Sequence, residues 1–128
     1  MIVDSSALVA VLFREARFEE LRDKLREAES AGIGAPTLTE TAIVVSARLG
    51  RDARAVVARL VDEAAITIIP YGDQHHAVAV TAWLRYGKGR HPAQLNFGDC
   101  IAYATAKVAG KPLLCVGRDF ARTDLALA

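Results

Sequence analysis

The stretch Met1-Ile2-Val3-Asp4-Ser5-Ser6-Ala7-Leu8-Val9-Ala10 opens the chain and decides how the rest of it can fold. Three apolar residues lead into a carboxylate, two hydroxyls follow, and a helix-like run continues to Phe13. This order predicts a short buried strand that ends at Asp4 and turns directly into a helix. Ligands of open α/β sheets bind outside the carboxyl ends of the strands, so Asp4 is expected at the rim of such a crevice. The alternative is that Asp4 or Ser5 only caps the helix, since either side chain can accept a backbone N–H.

Length and composition are typical of a globular protein with one domain. The 128 residues are 52% hydrophobic and 24% charged, enough to bury a core, so residues 1–128 are expected to form a single domain. The apolar runs are far shorter than a bilayer span and no basic residue precedes the first one, so we expect a cytoplasmic protein without a membrane segment or signal peptide. A net charge of +1 neither requires nor excludes a nucleic-acid partner.

Several side chains that could suggest other chemistry have simpler interpretations. Cys100 and Cys115 are too few for a disulfide framework or a zinc site, and we predict buried free thiols. His75 and His76 are neighbours on a predicted helix and point about 100° apart, so they are expected on a solvated surface rather than on one metal. Trp83 is expected in the core.

Strands and helices are predicted to alternate along the rest of the chain. The predicted elements are a charged amphipathic helix over Glu15–Ser30, a small-residue strand over Ala31–Ala35 that is ended by Pro36, a helix that follows Pro36 and ends at Gly50, a helix carrying Val56 to Ala64, a strand over Ile66–Ile69, a helix over Asp73–Tyr86, a basic glycine-rich loop over Gly87–Pro92, a helix over Phe97–Ala109 and a strand over Pro112–Val116. The tail Leu125–Ala128 is a candidate edge strand. This alternation implies an α/β fold with a mostly parallel central sheet covered on both faces.

Three further carboxylates lie where these elements meet, and each has an ordinary structural explanation. Thr37 and Glu40 have the spacing of a capping box, with the threonine at the N-cap and the glutamate at N3. Asn96 and Asp99 have the same spacing, and an acid near a helix N-terminus is favoured by the helix dipole. Asp119 follows the last strand and suits a turn.

Together the carboxylates indicate a metal site. In a parallel sheet with right-handed crossovers, Asp4, Glu40 and Asp119 reach one edge, and Asp99 joins them if its helix starts there. Clustered negative charges repel one another unless a cation neutralises them, and Mg²⁺ prefers carboxylate oxygens and retained waters. Three nearby polar side chains are suited to support such a site: Ser6, Asn96 and Thr39.

Four segments carry a resemblance to a known family: Ile2-Val3-Asp4-Ser5-Ser6-Ala7-Leu8, Glu40 at the start of its helix, Leu95-Asn96-Phe97-Gly98-Asp99-Cys100 and Gly117-Arg118-Asp119-Phe120. The chain resembles the PIN-domain ribonucleases, and in particular the VapC-type toxins of bacterial toxin–antitoxin pairs. The family often has asparagine where this chain has Arg118, which weakens the match around Asp119.

The resemblance implies a PIN-like three-layer α/β/α sandwich and a metal-dependent endoribonuclease. Its metal, Mg²⁺ or Mn²⁺ in its place, would be held chiefly by Asp4 and Asp99, with Glu40 and Asp119 completing the acidic pocket. Such a toxin would pair with a cognate antitoxin and form a homodimer. The apolar residues Leu8, Val11, Leu12 and Phe13 are a candidate surface for either partner.

Basic residues near the predicted acidic edge are candidates for contacting RNA phosphates. Arg118 would lie beside the metal crevice, while Lys88, Arg90 and His91 share the glycine-rich loop. The loop residues have an equally good interpretation as an ordinary solvated loop.

Two other functions are compatible with parts of the sequence. A phosphorylatable receiver domain is also a single α/β domain, but Asp52 lies between two helices and no lysine ends a strand. A metal-binding scaffold without turnover is the other alternative, and Arg118 is the reason to consider it. For the ribonuclease, the clustered carboxylates favour water activated by a metal over a histidine pair, because two of the three histidines diverge on one helix.

Overall fold

Four parallel strands form the central sheet in the order β3-β2-β1-β4. The computed structural model describes the whole chain, Met1–Ala128, and its elements are β1 (Ile2–Val3), α1 (Ser5–Leu12), α2 (Phe18–Glu27), β2 (Ala31–Gly34), α3 (Ala35–Leu49), α4 (Arg54–Glu63), β3 (Ile66–Ile69), α5 (Asp73–Tyr86), α6 (Phe97–Ala109), β4 (Leu113–Leu114) and the 3-10 helix η1 (Phe120–Arg122). Ile2 pairs with Gly32 on one side and with Leu113 on the other. The first strand is therefore central, as its continuous apolar character predicts.

Helices cover both faces of the sheet, which confirms the predicted three-layer α/β/α sandwich. Successive strand residues point to opposite faces, so Val3 packs in a core with α1, α2, α3 and α4, whereas Ile2 packs in a second core with α5 and α6. The same alternation places Leu114 in the first core and Leu113 in the second. None of the helices combines the length and apolar composition that crossing a membrane requires.

Close packing between β2 and α6 explains the small residues of β2. A Cβ on Gly34 would lie 2.8 Å from Thr105 Oγ1, so α6 can approach the sheet only because this side chain is missing. The helix is buried from Cys100 to Ala106. Its N-terminus is thereby held at the edge where the strands end.

Several predicted boundaries agree with the structure and others are shifted: the charged helix ends at Glu27 rather than at Ser30, and the last strand covers only Leu113–Leu114 of the predicted Pro112–Val116. The charged helix begins at Phe18 rather than Glu15, because Arg14 and Arg17 adopt left-handed backbone conformations between α1 and α2. The helix before Gly50 begins at Ala35, one residue before Pro36, and ends as predicted. At the tail, Leu127 forms a single parallel bridge to Leu113.

Three predictions about burial are wrong. Trp83 is 43% exposed and lies on the surface of α5 rather than in the core. Cys100 is buried as predicted, but Cys115 follows β4 and is only half-buried. Leu8, Val9 and Ala10 are buried, and Val11, Leu12 and Phe13 are half-buried against the first core, so the end of α1 exposes less apolar surface than predicted. Most of the large exposed apolar side chains lie instead on α3, β3, α5 and the start of α6, and Val116 and Leu127 are the others.

Candidate active site

Asp4 ends β1 and begins α1, and its carboxylate is almost completely buried. The side chain is 4% exposed, and its Oδ2 accepts hydrogen bonds from Ser6 N (3.1 Å) and Ser6 Oγ (2.5 Å). Burial is the main influence and raises the pKa of Asp4; the hydrogen bonds from Ser6 oppose it, and the charge of Glu40 adds to it. Asp4 is thus the N-cap of α1 and also lies at the strand edge, so the two interpretations are compatible.

Ser6 connects this carboxylate to the neighbouring strand. Its Oγ donates to Asp4 and accepts the backbone N–H of Val116 at 3.0 Å, just after β4. The predicted supporting role of Ser6 therefore has a structural basis. Thr39 has none, because its hydroxyl donates to the carbonyl of Ala35 in its own helix.

Asp99 lies in the first turn of α6 and makes the capping box that the spacing predicts. Asn96 Oδ1 accepts from Asp99 N at 2.9 Å, and Asp99 Oδ2 accepts from Asn96 N at 3.0 Å. The pKa of Asp99 is raised to about 6, first by burial and then by the negative charges of Asp4, Asp119 and Glu40. The structure thus brings all four carboxylates into one electrostatic environment.

Glu40 reaches this environment from a different position in its helix than predicted. Because α3 begins at Ala35 with Gly34 as N-cap, Thr37 lies inside the first turn and the predicted Thr37–Glu40 capping box is wrong. The Thr37 hydroxyl is buried without a hydrogen-bond partner. Proline is favoured in a first helical turn, which explains why the helix starts around Pro36 instead of after it.

Gly98 is a site residue that the sequence analysis missed. A Cβ at this position would overlap the carboxylate of Glu40, so the absence of a side chain lets Glu40 approach the start of α6. Two sequence signals pointed to this position: Gly98 lies in the segment Leu95–Cys100 that carries the family resemblance, and a glycine inside a helix costs stability and therefore indicates a packing or functional reason.

A groove of about 340 Å³ opens in front of Asp99. We call it the Asp99 groove; it is lined by Lys88, Pro92, Gln94, Asn96, Asp99, Arg118, Asp119 and Arg122. It combines two of the predicted carboxylates with the predicted basic residues Lys88 and Arg118. Arg122 was not predicted: it lies on η1 three residues after Asp119, and its guanidinium donates to the carbonyl of Pro92 at 3.0 Å.

Two other basic candidates lie outside the Asp99 groove. The guanidinium of Arg90 lies over the ring of Trp83, 4.5 Å from its centre. His91 Nδ1 accepts the N–H of Ala93 at 3.0 Å, and its ring meets Tyr86 edge-on. These contacts shape the loop and place Arg90 on Trp83 rather than in the Asp99 groove, and its contact with RNA phosphates stays a prediction.

The donor set fits a hydrated, hard cation better than a metal enclosed by protein ligands. No three His, Cys, Asp or Glu side chains are arranged to hold a metal ion by themselves. Mg²⁺ is commonly bound through one or two carboxylates and keeps several waters, which Asp4 and Asp99 can satisfy. Burial raises the pKa of the Cys100 thiol and of the Cys115 thiol to about 11, and a hard cation such as Mg²⁺ prefers oxygen ligands to sulfur.

Comparison with known proteins agrees with this geometry. The PIN domain family matches residues 1–125. Ribonuclease VapC36 of Mycobacterium tuberculosis is 47% identical over 126 residues, covering 98% of this chain and 91% of the relative. Ribonuclease VapC of Mycolicibacterium smegmatis is 38% identical and covers 98% of each chain.

Solved structures share the fold at lower sequence identity. The crystal structure of Mycobacterium tuberculosis VapC20, a toxin that cleaves the sarcin–ricin loop, superimposes with a TM-score of 0.77 at 17% identity, over 99% of this chain and 97% of that one. A toxin–antitoxin complex from Klebsiella pneumoniae gives a TM-score of 0.71 at 21% identity, over 99% and 95% of the two chains. With its sheet order, its acidic edge and relatives of this similarity, the chain belongs to the PIN-domain family and, within it, to the VapC ribonucleases.

Proposed function

We propose that this protein is a Mg²⁺-dependent endoribonuclease that acts as the toxin of a type II toxin–antitoxin pair. The observation that carries the proposal is the convergence of Asp4, Glu40, Asp99 and Asp119, whose mutual charge helps to raise the pKa of Asp99 to about 6. Relatives that are 36–47% identical are named ribonucleases, which supports RNA as the substrate.

Asp4 and Asp99 are the proposed metal ligands. The hydrogen bonds from Ser6 fall on Oδ2 of Asp4, and the bond from Asn96 falls on Oδ2 of Asp99, so Oδ1 of each carboxylate is free of these contacts. Ser6 and Asn96 thus hold the two carboxylates in place. Mn²⁺ also accepts carboxylate and water ligands, and we expect it to substitute for Mg²⁺.

The remaining residues would bind and orient the reactants. When bound, a divalent cation lowers the pKa of a coordinated water and stabilises charge on the phosphate oxygens. Glu40 and Asp119 would accept hydrogen bonds from the attacking water. Arg118, Lys88 and Arg122 line the Asp99 groove and would hold the RNA phosphates.

The protein partner is the second part of the proposal. An apolar groove of about 660 Å³ runs between α3 and α4, and it includes Ile43 and Ile68, which are 64% and 50% exposed. We propose that an amphipathic helix of the antitoxin binds here, since such grooves receive the apolar face of a partner helix. A homodimer is also proposed, and light scattering of the protein without its antitoxin tests it.

The deciding experiment is incubation of the purified protein with total RNA, with Mg²⁺, with Mn²⁺ or with chelator. Wild type should cleave only with a cation, and Asp4→Asn should lose cleavage. Attack by water should leave 5′-phosphate and 3′-hydroxyl ends, and RNA with one 2′-deoxy sugar at the cleaved position should still be cut. A 2′,3′-cyclic phosphate product, or complete resistance of the deoxy substrate at saturating concentration, would contradict this mechanism.

A further inference from the structure

A pocket of about 300 Å³ lies between α5 and the start of α6, and aromatic rings dominate its walls. We call it the Phe97 pocket; its lining includes Tyr71, His76, Val80, Trp83, Phe97 and Ile101. Phe97 is 81% exposed, more than any other large apolar residue of the chain. Exposing a phenylalanine ring to water to this extent costs free energy, so a binding partner that covers it would gain correspondingly.

The Phe97 pocket adjoins the acidic site. Phe97 follows the capping residue Asn96 and precedes Gly98, which lies against Glu40. Its ring also lines a second cavity that contains Glu40 and Gly98. An RNA strand that crosses the Asp99 groove would therefore meet Phe97, which lies two residues before Asp99 in the chain.

The aromatic walls are held in place by their surroundings. A Cβ at Gly87 would collide with the carbonyl and the indole ring of Trp83, so Trp83 packs directly on the backbone after α5. Arg90 covers the indole at 4.5 Å, and Tyr71 stacks on His75 at 5.2 Å. The rings of Trp83 and Tyr71, which are held by these contacts, lose little side-chain freedom when a flat ligand enters the pocket beside Phe97.

Charge and ring chemistry together identify the ligand. Lys88, Arg118 and Arg122 lie along the neighbouring Asp99 groove, where they suit a phosphate backbone. Proteins that bind single-stranded nucleic acid combine such a basic groove with aromatic side chains on which bases stack. A second copy of this chain would cover the rings equally well, but it would not require a basic groove next to them.

We infer that the Phe97 pocket receives one unpaired base of the RNA beside the cleaved phosphate, and that Phe97 is its stacking platform. The inference rests on the proposed ribonuclease function. It makes Phe97 a positioning residue for the substrate and restricts cleavage to RNA whose base can leave its own stack, such as a loop or a single strand. Fully paired RNA should be a poor substrate.

The test removes the ring and the base separately. Short unpaired RNAs are cleaved by wild type, Phe97→Ala and Phe97→Trp, with each base near the cleaved bond replaced in turn by an abasic site. Phe97→Ala should raise KM about tenfold with little change in kcat, and Phe97→Trp should restore KM. One abasic position should raise the KM of wild type by a similar factor yet leave the KM of Phe97→Ala unchanged, because in that variant the ring on which the base would stack is already missing.

A binding measurement gives a readout that does not depend on turnover. In an Asp99→Asn background, RNA carrying the fluorescent base 2-aminopurine at that position should lose fluorescence on binding, and the additional change Phe97→Ala should abolish the loss. Leu84→Ala is the matched control, since Leu84 is 53% exposed on α5 but does not line the Phe97 pocket. It should behave like its parent in both assays.

Several outcomes would overturn the inference. An unchanged KM in Phe97→Ala would show that no base of the RNA binds in the pocket. An abasic site that raises KM equally in wild type and in Phe97→Ala would show the same. A dimer in wild type that becomes a monomer in Phe97→Ala, with the RNA affinity of the monomer unchanged, would assign the pocket to a second copy of the chain. Failure of the ribonuclease proposal is distinguishable, because it appears already as absent metal-dependent cleavage in wild type.

Discussion

Gly98 occupies a position where any side chain would collide with the carboxylate of Glu40. Gly98→Ala should therefore displace Glu40 and lower the rate of RNA cleavage at least tenfold. Stability should hold or rise by up to about 1 kcal/mol, because alanine is the better helix former. Urea unfolding and a cleavage assay on the same preparation check both parts.

The matched control for this change is Gly72→Ala. Gly72 precedes α5, and a Cβ there meets no atom within 4 Å. It should leave cleavage unchanged. If Gly98→Ala cleaves RNA as fast as wild type, the position of Glu40 has no part in the reaction.

Arg118 is an exposed residue of the Asp99 groove. Its guanidinium has the planar fork that binds phosphate oxygens. Arg118→Ala should weaken RNA binding several-fold and reduce the salt dependence of binding, with the melting temperature unchanged. Filter binding at two salt concentrations measures this. Equal affinity and equal cleavage would show that Arg118 is a turn residue facing solvent.

The raised pKa of Asp99 makes the stability of the metal-free protein depend on pH. Its pKa rises from 3.8 in the unfolded reference to about 6 in the fold, so the folded state binds more protons between these values. The free energy of unfolding should therefore fall by on the order of 1 kcal/mol as pH rises from about 4 to about 6, a value reduced because Asp99 is partly exposed. Above pH 6 it should level off. Asp99→Asn keeps a cap acceptor and should lose this part of the slope. Denaturant unfolding in chelator at each pH tests the difference, and parallel curves for the two proteins would contradict it.

At the scale of elements, the contact between β2 and α6 decides where Asp99 lies. Gly34→Ala places a methyl group 2.8 Å from Thr105 Oγ1, inside the buried face of α6. We expect a loss of about 1–3 kcal/mol in the free energy of unfolding, together with a weaker response to Mg²⁺, because α6 must move.

The companion change Thr105→Ala removes the group that the new methyl meets. The double variant should lose less stability than the sum of the two single variants, which a double-mutant cycle in urea measures. Strict additivity would mean that the Gly34 position does not control the approach of α6.

For the whole molecule, the acidic edge predicts stabilisation by divalent cations. Binding to the folded state alone adds about 2.7 kcal/mol at a cation concentration a hundred times Kd, a rise on the order of 10 °C in Tm for a domain of this size. Asp99→Asn should lose most of that rise. In chelator at pH 8 it should melt above wild type, because one of four repelling charges is gone.

Asp62→Asn is the control for charge alone, since Asp62 is exposed on α4, away from the carboxylate cluster. It should keep the full response to Mg²⁺ and Mn²⁺ in the same thermal scans. If Asp99→Asn keeps its response to the metal and melts below wild type in chelator, Asp99 acts only as a helix cap.

The amino-acid sequence by itself determined the parallel α/β sheet and the edge at which the carboxylates meet. The elements follow from local patterns, namely apolar runs such as Ile2–Val3 and Ile66–Ile69 and the helix caps Asp4 and Asn96. Because crossovers are right-handed, the residues that follow the strands all lie at one edge of the sheet. The family could be recognised for the same reason, since its motifs lie in those short segments. Local spacing was less reliable at α3, where Pro36 suited the first turn as well as a strand end.

Only the tertiary structure decided how the site is completed and what surrounds it. Two features of the site bring together segments that are far apart in the chain: the contact of Gly98 with Glu40, and the position of Arg122 in the Asp99 groove. The exposure of Trp83 also depends on how the elements pack. The raised pKa of Asp99 likewise depends on burial and on three carboxylates from other elements. Such properties follow from the packing of α3, α5, α6 and η1 around the sheet, because burial and the distance between charges exist only once the elements are assembled.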